Sequence, residues 1–267
     1  MVIRASMPQA QALGQMEFSL GVVAWAELGP AWRSRGLSAP FNRLYLVESG
    51  SGTIWTEGQT VKMEPGMAYL LPAGQPCSYD CGDFLNKLFI HFNLYKPDRY
   101  DVLWGSREIG CIPLAPGTVS QLRSCLEEGD LLGVLEIQQT VMSLLLRHLR
   151  GSGWECDLGD PYSPDVADTI GYIRKNLSAR LKVTELARRR FVSRTHLTEA
   201  FRRETGITLG RYIDDQLILE AQRRLSQTDQ PVGDISRELG FCDQFYFSRR
   251  FTQLSGMTPL QYRQSFR

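Results

Sequence analysis

The chain has no long hydrophobic run. Its most apolar stretch, VMSLLL from Val141 to Leu146, is far short of the roughly 20 residues that a bilayer-spanning helix needs. The first sixteen residues, MVIRASMPQAQALGQM, lack both an apolar core and a cleavage pattern, so no signal peptide is expected and the protein should stay in the cytoplasm. No membrane partner is expected either. The six cysteines (Cys77, Cys81, Cys111, Cys125, Cys156 and Cys242) form no CxxC pair, which removes zinc-finger spacing. In a chain that is not exported they are read as reduced, mostly buried thiols. Histidine is scarce as well: His91, His148 and His196 lie far apart. There is no low-complexity tract, no nucleophile–base motif, and almost no net charge, at +1 for 267 residues.

The near-zero charge conceals an uneven distribution. From Asp165 to the end there are 18 Lys and Arg against 12 Asp and Glu, while the first 164 residues carry 12 against 17. A difference of eleven charges between the two parts points to a polyanion-binding module at the C-terminus behind a different kind of N-terminal domain. Composition shifts at the same place. GSGWECDLGDPYSPD, which begins at Gly151, is rich in Gly, Pro, Ser and Asp and reads as a linker over 151–164.

Within the basic part the sequence repeats itself at an offset of fifty. FVSRTHLTEAFRRETGITLGRY (Phe191 to Tyr212) lies over FCDQFYFSRRFTQLSGMTPLQY (Phe241 to Tyr262), pairing Phe191 with Phe241, Phe201 with Phe251, Gly206 with Gly256, Thr208 with Thr258 and Tyr212 with Tyr262. Each copy follows a short amphipathic piece, VTELARRR or VGDISREL. The pattern predicts helix, tight turn and helix, written twice. Ser193 and Asp243 are N-cap residues. Leu197, Ala200 and Phe201 in one copy, and Phe247, Phe251 and Leu254 in the other, form buried stripes, with Phe241 completing a small core. Gly206 and Gly256 end the helices. The outward residues are Arg194, Thr195, Thr198, Glu199 and Arg202 on the first copy, and Gln244, Phe245, Ser248, Arg249 and Thr252 on the second. Arg, Gln, Thr and Ser near a helix start suit base edges and phosphates, and Phe245 suits a thymine methyl. A solvated helix face is the competing reading of one copy alone; two copies with a positive balance favour double-stranded DNA. LGRYIDDQLILEAQRRLSQT between them reads as one connecting helix. Such a helix would hold two recognition helices about one turn of duplex apart, roughly 34 Å.

The segment from Asp165 to Arg267 resembles the DNA-binding domain of the AraC/XylS family of bacterial transcription regulators. GFCDQFYFSRRFTQLSGMTPLQYR is close to that family's C-terminal signature: Gly-Phe, an Asp, an aromatic pair, Arg-Phe, then Gly-x-Thr-Pro-x-x-Tyr-Arg. LARRRFVSRTHLTEAFRRETG is similar to its first helix-turn-helix. The resemblance implies a seven-helix domain that inserts two helices into successive major grooves on one side of the DNA. By match to those helices it assigns base contact to Arg194, Thr195, Thr198, Glu199, Gln244, Phe245, Ser248 and Arg249, and Arg202 shares their face. Glu199 can accept from cytosine but repels phosphate, so it would restrict sequence more than add affinity. Activation through contact with RNA polymerase is also implied by the resemblance.

From Met16 to Leu94 the pattern changes to short alternating runs punctuated by Gly and Pro. RLYLVESGSGTIWTEG, QTVKMEPGMAYLLPAG and LNKLFIHFNL read as strands separated by turns, as in a barrel or double-sheet roll. The tract SGSGTIWTEGQTVKMEPGMAYLLPAGQPCSY resembles the cupin-like barrel that precedes this DNA-binding domain in sugar-responsive members. The same fold hosts metal-dependent oxygenases and isomerases, whose sites need several His and a carboxylate. Here Cys77 stands where metal-binding cupins place a histidine, and His91 is the single histidine of the barrel region. Neither a metal, a cofactor nor an enzymatic activity is expected.

An apolar cavity with a few polar groups suits a small molecule instead. Strand alternation puts Lys87, Phe89 and His91 on one face and Leu88, Ile90 and Phe92 on the other. The first set suits a sugar, and resemblance to sugar-sensing members adds Arg35 and Tyr79. Against this, Phe89 and Tyr79 read equally as core, and Arg35 as a surface charge. Beyond the barrel, DLLGVLEIQQTVMSLLLRHLR carries more apolar residues than one small barrel needs to cover. A homodimer interface would use the surplus, and single-chain packing competes.

The expected architecture is therefore α+β: an N-terminal arm (1–15), a cupin-like effector-binding barrel (16–115), a helical dimerisation section (116–150), a linker (151–164) and a double helix-turn-helix domain (165–267). The function it implies is a sequence-specific activator controlled by a small organic effector such as a sugar, acting as a dimer on paired half-sites. The alternative is an effector-independent regulator whose N-terminal domain binds a partner protein.

Overall fold

The computed structural model describes residues 16–96, 100–104, 106–153, 162–255 and 257–264. The arm at 1–15, the middle of the linker at 154–161 and Gly256, expected from the sequence to end a helix, lie outside the described residues. The chain divides into two compact units, one running essentially from Glu17 to Asp157 and the other from Leu158 to Arg267.

The N-terminal unit is an antiparallel sheet followed by two helices. Its strands are β1 (Glu17–Leu28), β2 (Arg33–Leu37), β3 (Asn42–Trp55), β4 (Thr60–Met63), β5 (Met67–Leu71), β6 (Cys77–Tyr95) and β7 (Gly110–Pro113), with helices α1 (Thr118–Glu128) and α2 (Leu131–Gly151) after them. The sheet runs β1-β6-β3-β5-β7, with β2 added on β6 and β4 on β3. SGSG, despite its turn-forming residues, is a bend inside one 14-residue strand, and β6 likewise continues for 19 residues. The β3–β6 register shifts between Val47 and Ser49 and again between Gly50 and Gly52. These bulges curve the pair without breaking it. Glycine is required there: Gly50 has φ 80, and a Cβ on it would lie 2.2 Å from the Phe84 carbonyl oxygen.

Alternation gives the β3–β6 ribbon two different faces. Leu44, Leu46, Leu88, Ile90 and Phe92 make one, wholly apolar and almost completely buried, and α1 packs against β1, β3 and β6. Arg43, Tyr45, Val47, Lys87, Phe89 and His91 make the other, through the pairings Arg43↔His91, Tyr45↔Phe89 and Val47↔Lys87. The end of the ribbon is pinned by Asp101, whose buried carboxylate accepts from Asn42 Nδ2 (2.9 Å), Asn93 Nδ2 (3.0 Å) and the backbone N–H groups of Leu94 and Leu103 (both 2.9 Å). In α2, Asp130 caps the helix by accepting from Gly133 N at 2.7 Å. Ile137, Val141, Leu144 and Leu145 are buried, whereas Leu131, Leu132, Val134, Leu135 and Leu146 are exposed. The apolar surplus seen in the sequence therefore lies on the surface of this chain.

The C-terminal unit shows seven helices among its described residues: α3 (Pro164–Lys175), α4 (Val183–Arg189), α5 (Arg194–Thr205), α6 (Leu209–Gln227), α7 (Val232–Glu238), α8 (Gln244–Ser255) and α9 (Pro259–Gln264). Pro164 starts α3 at a position where no backbone N–H is missed. α6 touches α5, α7, α8 and α9. It buries Tyr212, Ile213, Leu217, Ile218, Ala221 and Leu225 and pairs Asp214 with Arg250 of α8. Its 19 residues extend about 28 Å at 1.5 Å per residue.

The internal repeat is real but its register differs from the sequence alignment. In the first turn Val192 N donates to Ala187 O and Phe191 N to Arg188 O; in the second, Phe241 N donates to Ser236 O and Gly240 N to Arg237 O. Up to that point the copies match at an offset of 49, and at the caps Ser193 and Asp243 the offset is fifty. The second turn holds one extra residue, so Phe191 corresponds to Gly240 and not to Phe241. Phe191 accordingly has φ 57 and is 98% exposed, while Phe241 is buried.

Candidate nucleic-acid interface and effector pocket

The two helix-turn-helix units are built by local rules that the sequence states. Ser193 Oγ accepts from His196 N at 3.0 Å, and Asp243 Oδ1 accepts from Tyr246 N at 2.6 Å, so both side chains cap their second helices. The Tyr246 N–H, and after it the Cys242 thiol, hold the Asp243 carboxyl below its usual range. Behind the caps, Leu197, Ala200 and Phe201 are buried in α5, as are Phe247 and Phe251 in α8. The aromatic core of the second unit is continuous, with Phe241–Phe247, Phe247–Phe251 and Phe251–Tyr262 centroids 5.1, 5.8 and 5.5 Å apart. Leu254 is half-buried. The first unit is anchored to α3 by Arg190, which reaches Asp165 at 2.9 Å and Asp168 at 2.5 Å.

Burying those stripes fixes what faces outward. On α5, Arg194, Thr195, Glu199 and Arg202 are exposed and Thr198 is half-buried. The Thr198 hydroxyl donates back to Arg194 O and Thr195 O, both at 3.0 Å. On α8, Gln244, Phe245 and Arg249 are exposed and Ser248 is half-buried; Phe245 is 81% exposed. Each set occupies one side of its helix, opposite the core stripe. Phe245 and its half-exposed neighbour Tyr246 leave apolar area open at the start of α8, the end that meets base edges in helix-turn-helix docking.

In the N-terminal unit the structure gathers most of the expected pocket residues. Lys87 is 2% exposed, with Nζ 3.3 Å from the Tyr45 ring centroid and 3.7 Å from that of Trp32. Trp32 stacks on Tyr79 at 4.2 Å, and His91 stacks on Phe41 at 4.3 Å with Phe89 5.4 Å away. Burial, and after it the Arg43 guanidinium, holds the Lys87 ammonium well below its ordinary pKa. The same two causes, followed by Lys87, push His91 down to about 3. Lys87, Phe89, His91 and Tyr79 thus share one aromatic-walled region. Arg35 does not join them: it is exposed on β2, with its guanidinium 5.0 Å over the Trp55 ring.

The sequence reading overlooked Arg43, Tyr45, Trp32 and Phe41. Arg43 is 1% exposed; its Nη2 donates to Cys77 Sγ at 3.1 Å and to Leu37 O at 3.5 Å, while Nε and Nη1 have no hydrogen-bond partner among the described residues. Alternation along NRLYLV would have placed Arg43 and Tyr45 on the inner face, as it did for Lys87, Phe89 and His91. Trp32 and Phe41 lie outside that alternation, one before β2 and the other just before β3. Among the described residues no group of three or more His, Cys, Asp or Glu is placed to hold a metal ion. No described helix is long and apolar enough to cross a membrane.

Comparison with known proteins supports both domains. Residues 186–265 match a helix-turn-helix domain, and residues 38–94 match the AraC-like ligand binding domain. The arabinose operon regulatory protein of Salmonella typhimurium is 25% identical over 237 residues, covering 82% of each chain. The regulatory protein SoxS of Escherichia coli is 34% identical over 98 residues, 37% of this chain and 92% of SoxS. The crystal structure of ToxT from Vibrio cholerae bound to a methylnaphthalenyl butenoic acid shares the fold, with a TM-score of 0.56 at 11% identity, over 94% of this chain and 99% of ToxT. With paired helix-turn-helix units behind a barrel of this kind, the chain belongs to the AraC/XylS family and is a DNA-binding transcription regulator with an N-terminal ligand-binding domain.

Proposed function

We propose that this regulator is an activator that reads its promoter through α5 and α8 and is controlled by a small organic effector of carbohydrate type. The observation that carries the effector reading is the clustering of Trp32, Tyr45, Tyr79, Phe89 and His91 with Lys87 on one buried face. Aromatic rings stack on the C–H faces of a sugar while neighbouring polar groups bond its hydroxyls. The arabinose operon relative supports the same class. On the DNA side, Arg194, Thr195, Thr198, Glu199 and Arg202 of α5, with Gln244, Phe245, Ser248 and Arg249 of α8, are the contact residues.

The exposed apolar row of α2 supports a homodimer, in which two subunits would occupy paired half-sites. Effector binding would then shift an equilibrium between ways of presenting the DNA-binding units, by the difference in its affinity for the two states. Contact with RNA polymerase completes the activation. A thermal-melting screen against sugars and metabolites tests this reading. A stabilising compound that also raises promoter affinity supports it; a barrel that answers to no compound and instead captures a partner protein would favour the effector-independent alternative.

A further inference from the structure

The inner face of the barrel holds two buried basic side chains and no acid to match them. Among the described residues neither Arg43 nor Lys87 has a carboxylate within ion-pair distance; the polar neighbours of Arg43 are the Cys77 thiol, the Leu37 carbonyl oxygen and the phenols of Tyr45 and Tyr79, and Lys87 lies between two aromatic rings. They occupy one face on either side of the Tyr45↔Phe89 pair, since Arg43 pairs with His91 and Val47 with Lys87. A guanidinium stays charged in proteins, and a buried charge without a counter-ion is costly to keep. Nε and Nη1 of Arg43 are donors still to be used.

We propose that the effector is an acid and not a neutral sugar: a sugar acid of the uronate or aldonate class, whose carboxylate seats between Arg43 and Lys87 while its ring or chain lies against Trp32, Tyr79 and Phe89. This deepens the reading of the barrel as a small-molecule sensor and rests on it. A carboxylate fits the donors better than a phosphate monoester. It brings one negative charge and about four acceptor sites to a guanidinium with two unused nitrogens and an amine that burial disfavours charging. An anion seated beside the amine favours its ammonium form.

The test uses the full chain and matched probes: glucuronate against glucose, galacturonate against galactose, gluconate against sorbitol. Melting shifts and titration calorimetry are read for each pair. The expected result is at least one acid that binds ten-fold or more tightly than its neutral twin. Lys87→Met and Arg43→Gln should each lose that preference by ten-fold or more. Lys87→Met without ligand should melt at or above the wild-type temperature, which separates lost recognition from lost folding. Neutral twins that bind as tightly as the acids would overturn the proposal and leave the sensor reading standing. If no acid and no neutral twin shifts the melting temperature, the proposal and the sensor reading fall together.

Discussion

Arg249 and Phe251 stand two positions apart on α8, and their substitutions should fail in opposite ways. Phe251 is fully buried, with rings on either side at centroid distances of 5.8 and 5.5 Å. Truncating a buried Phe to Ala removes its transfer free energy and leaves a cavity, about 3–5 kcal/mol together. For a domain of 60–100 residues each kcal/mol lowers the melting temperature by roughly 4–8 °C, so Phe251→Ala should melt more than about 10 °C lower or fail to fold. Arg249 faces solvent, and its replacement by Ala should change stability by less than about 0.5 kcal/mol. If its guanidinium reads a base, specific binding should weaken by about 1–3 kcal/mol, roughly 5- to 150-fold. Melting by circular dichroism, paired with fluorescence anisotropy on a promoter duplex and a random duplex at one salt concentration, separates the two effects. A uniform loss on both duplexes, with a salt slope shallower by about one, would make Arg249 a phosphate contact. Unchanged specific affinity would remove Arg249 from the interface, and a melting loss like that of Phe251→Ala would show that the outward face of α8 has been assigned wrongly.

Four further outcomes are expected. Gly240 has φ 79 and an added Cβ would fall 2.1 Å from Ser178 Oγ, so Gly240→Ala should cost about 1–3 kcal/mol in urea unfolding. Phe191→Gly, at the equivalent turn position with the side chain in solvent, should lie within about 1 kcal/mol of wild type; equal losses at the two sites would break the structural pairing of the turns. Leu132→Glu with Leu135→Glu, both on the exposed row of α2, should give a monomer by light scattering with an unchanged melting temperature, and a persisting dimer would place the interface elsewhere. His91 is held at about 3 in the folded chain, mainly by burial, against about 6.5 unfolded. The unfolded state therefore binds the proton first, and stability should be complete above pH 6.5 and fall by up to about 1.4 kcal/mol per pH unit below it. His91→Gln should flatten that slope between pH 6.5 and 5, and an unaltered slope would contradict the burial of a neutral imidazole.

The C-terminal unit was almost wholly legible because its determinants are local. A cap, an i, i+3, i+4 stripe and a turn leave their marks within a dozen residues, and Ser193, Leu197 and Phe201 show all three. The one-residue difference between the turns was not legible. Phe191 and Phe241 are chemically identical, and only the backbone hydrogen bonds to Ala187 and Ser236 reveal that they stand in different places. In the N-terminal unit alternation placed Lys87, Phe89 and His91 together, since a strand's period of two is a short-range property. It could not show that β3 passes unbroken through Ser49–Gly52, because SGSG carries the residues of a turn and the bend depends on Phe84 and Asp80, some thirty residues away. Trp32 joins the cluster through β2 pairing on β6, a long-range contact with no local mark, and Arg35 falls outside it because β2 turns that side chain toward Trp55.

Hydroxyl-radical footprinting of the full chain on the promoter beside its own gene tests the central claim most directly. Two recognition helices held by α6 should protect two patches about 10 base pairs apart on one face of the duplex. Both patches should disappear as salt rises and be absent from a random fragment of the same length. A single patch, or equal protection of promoter and random DNA with the effector supplied, would contradict the account.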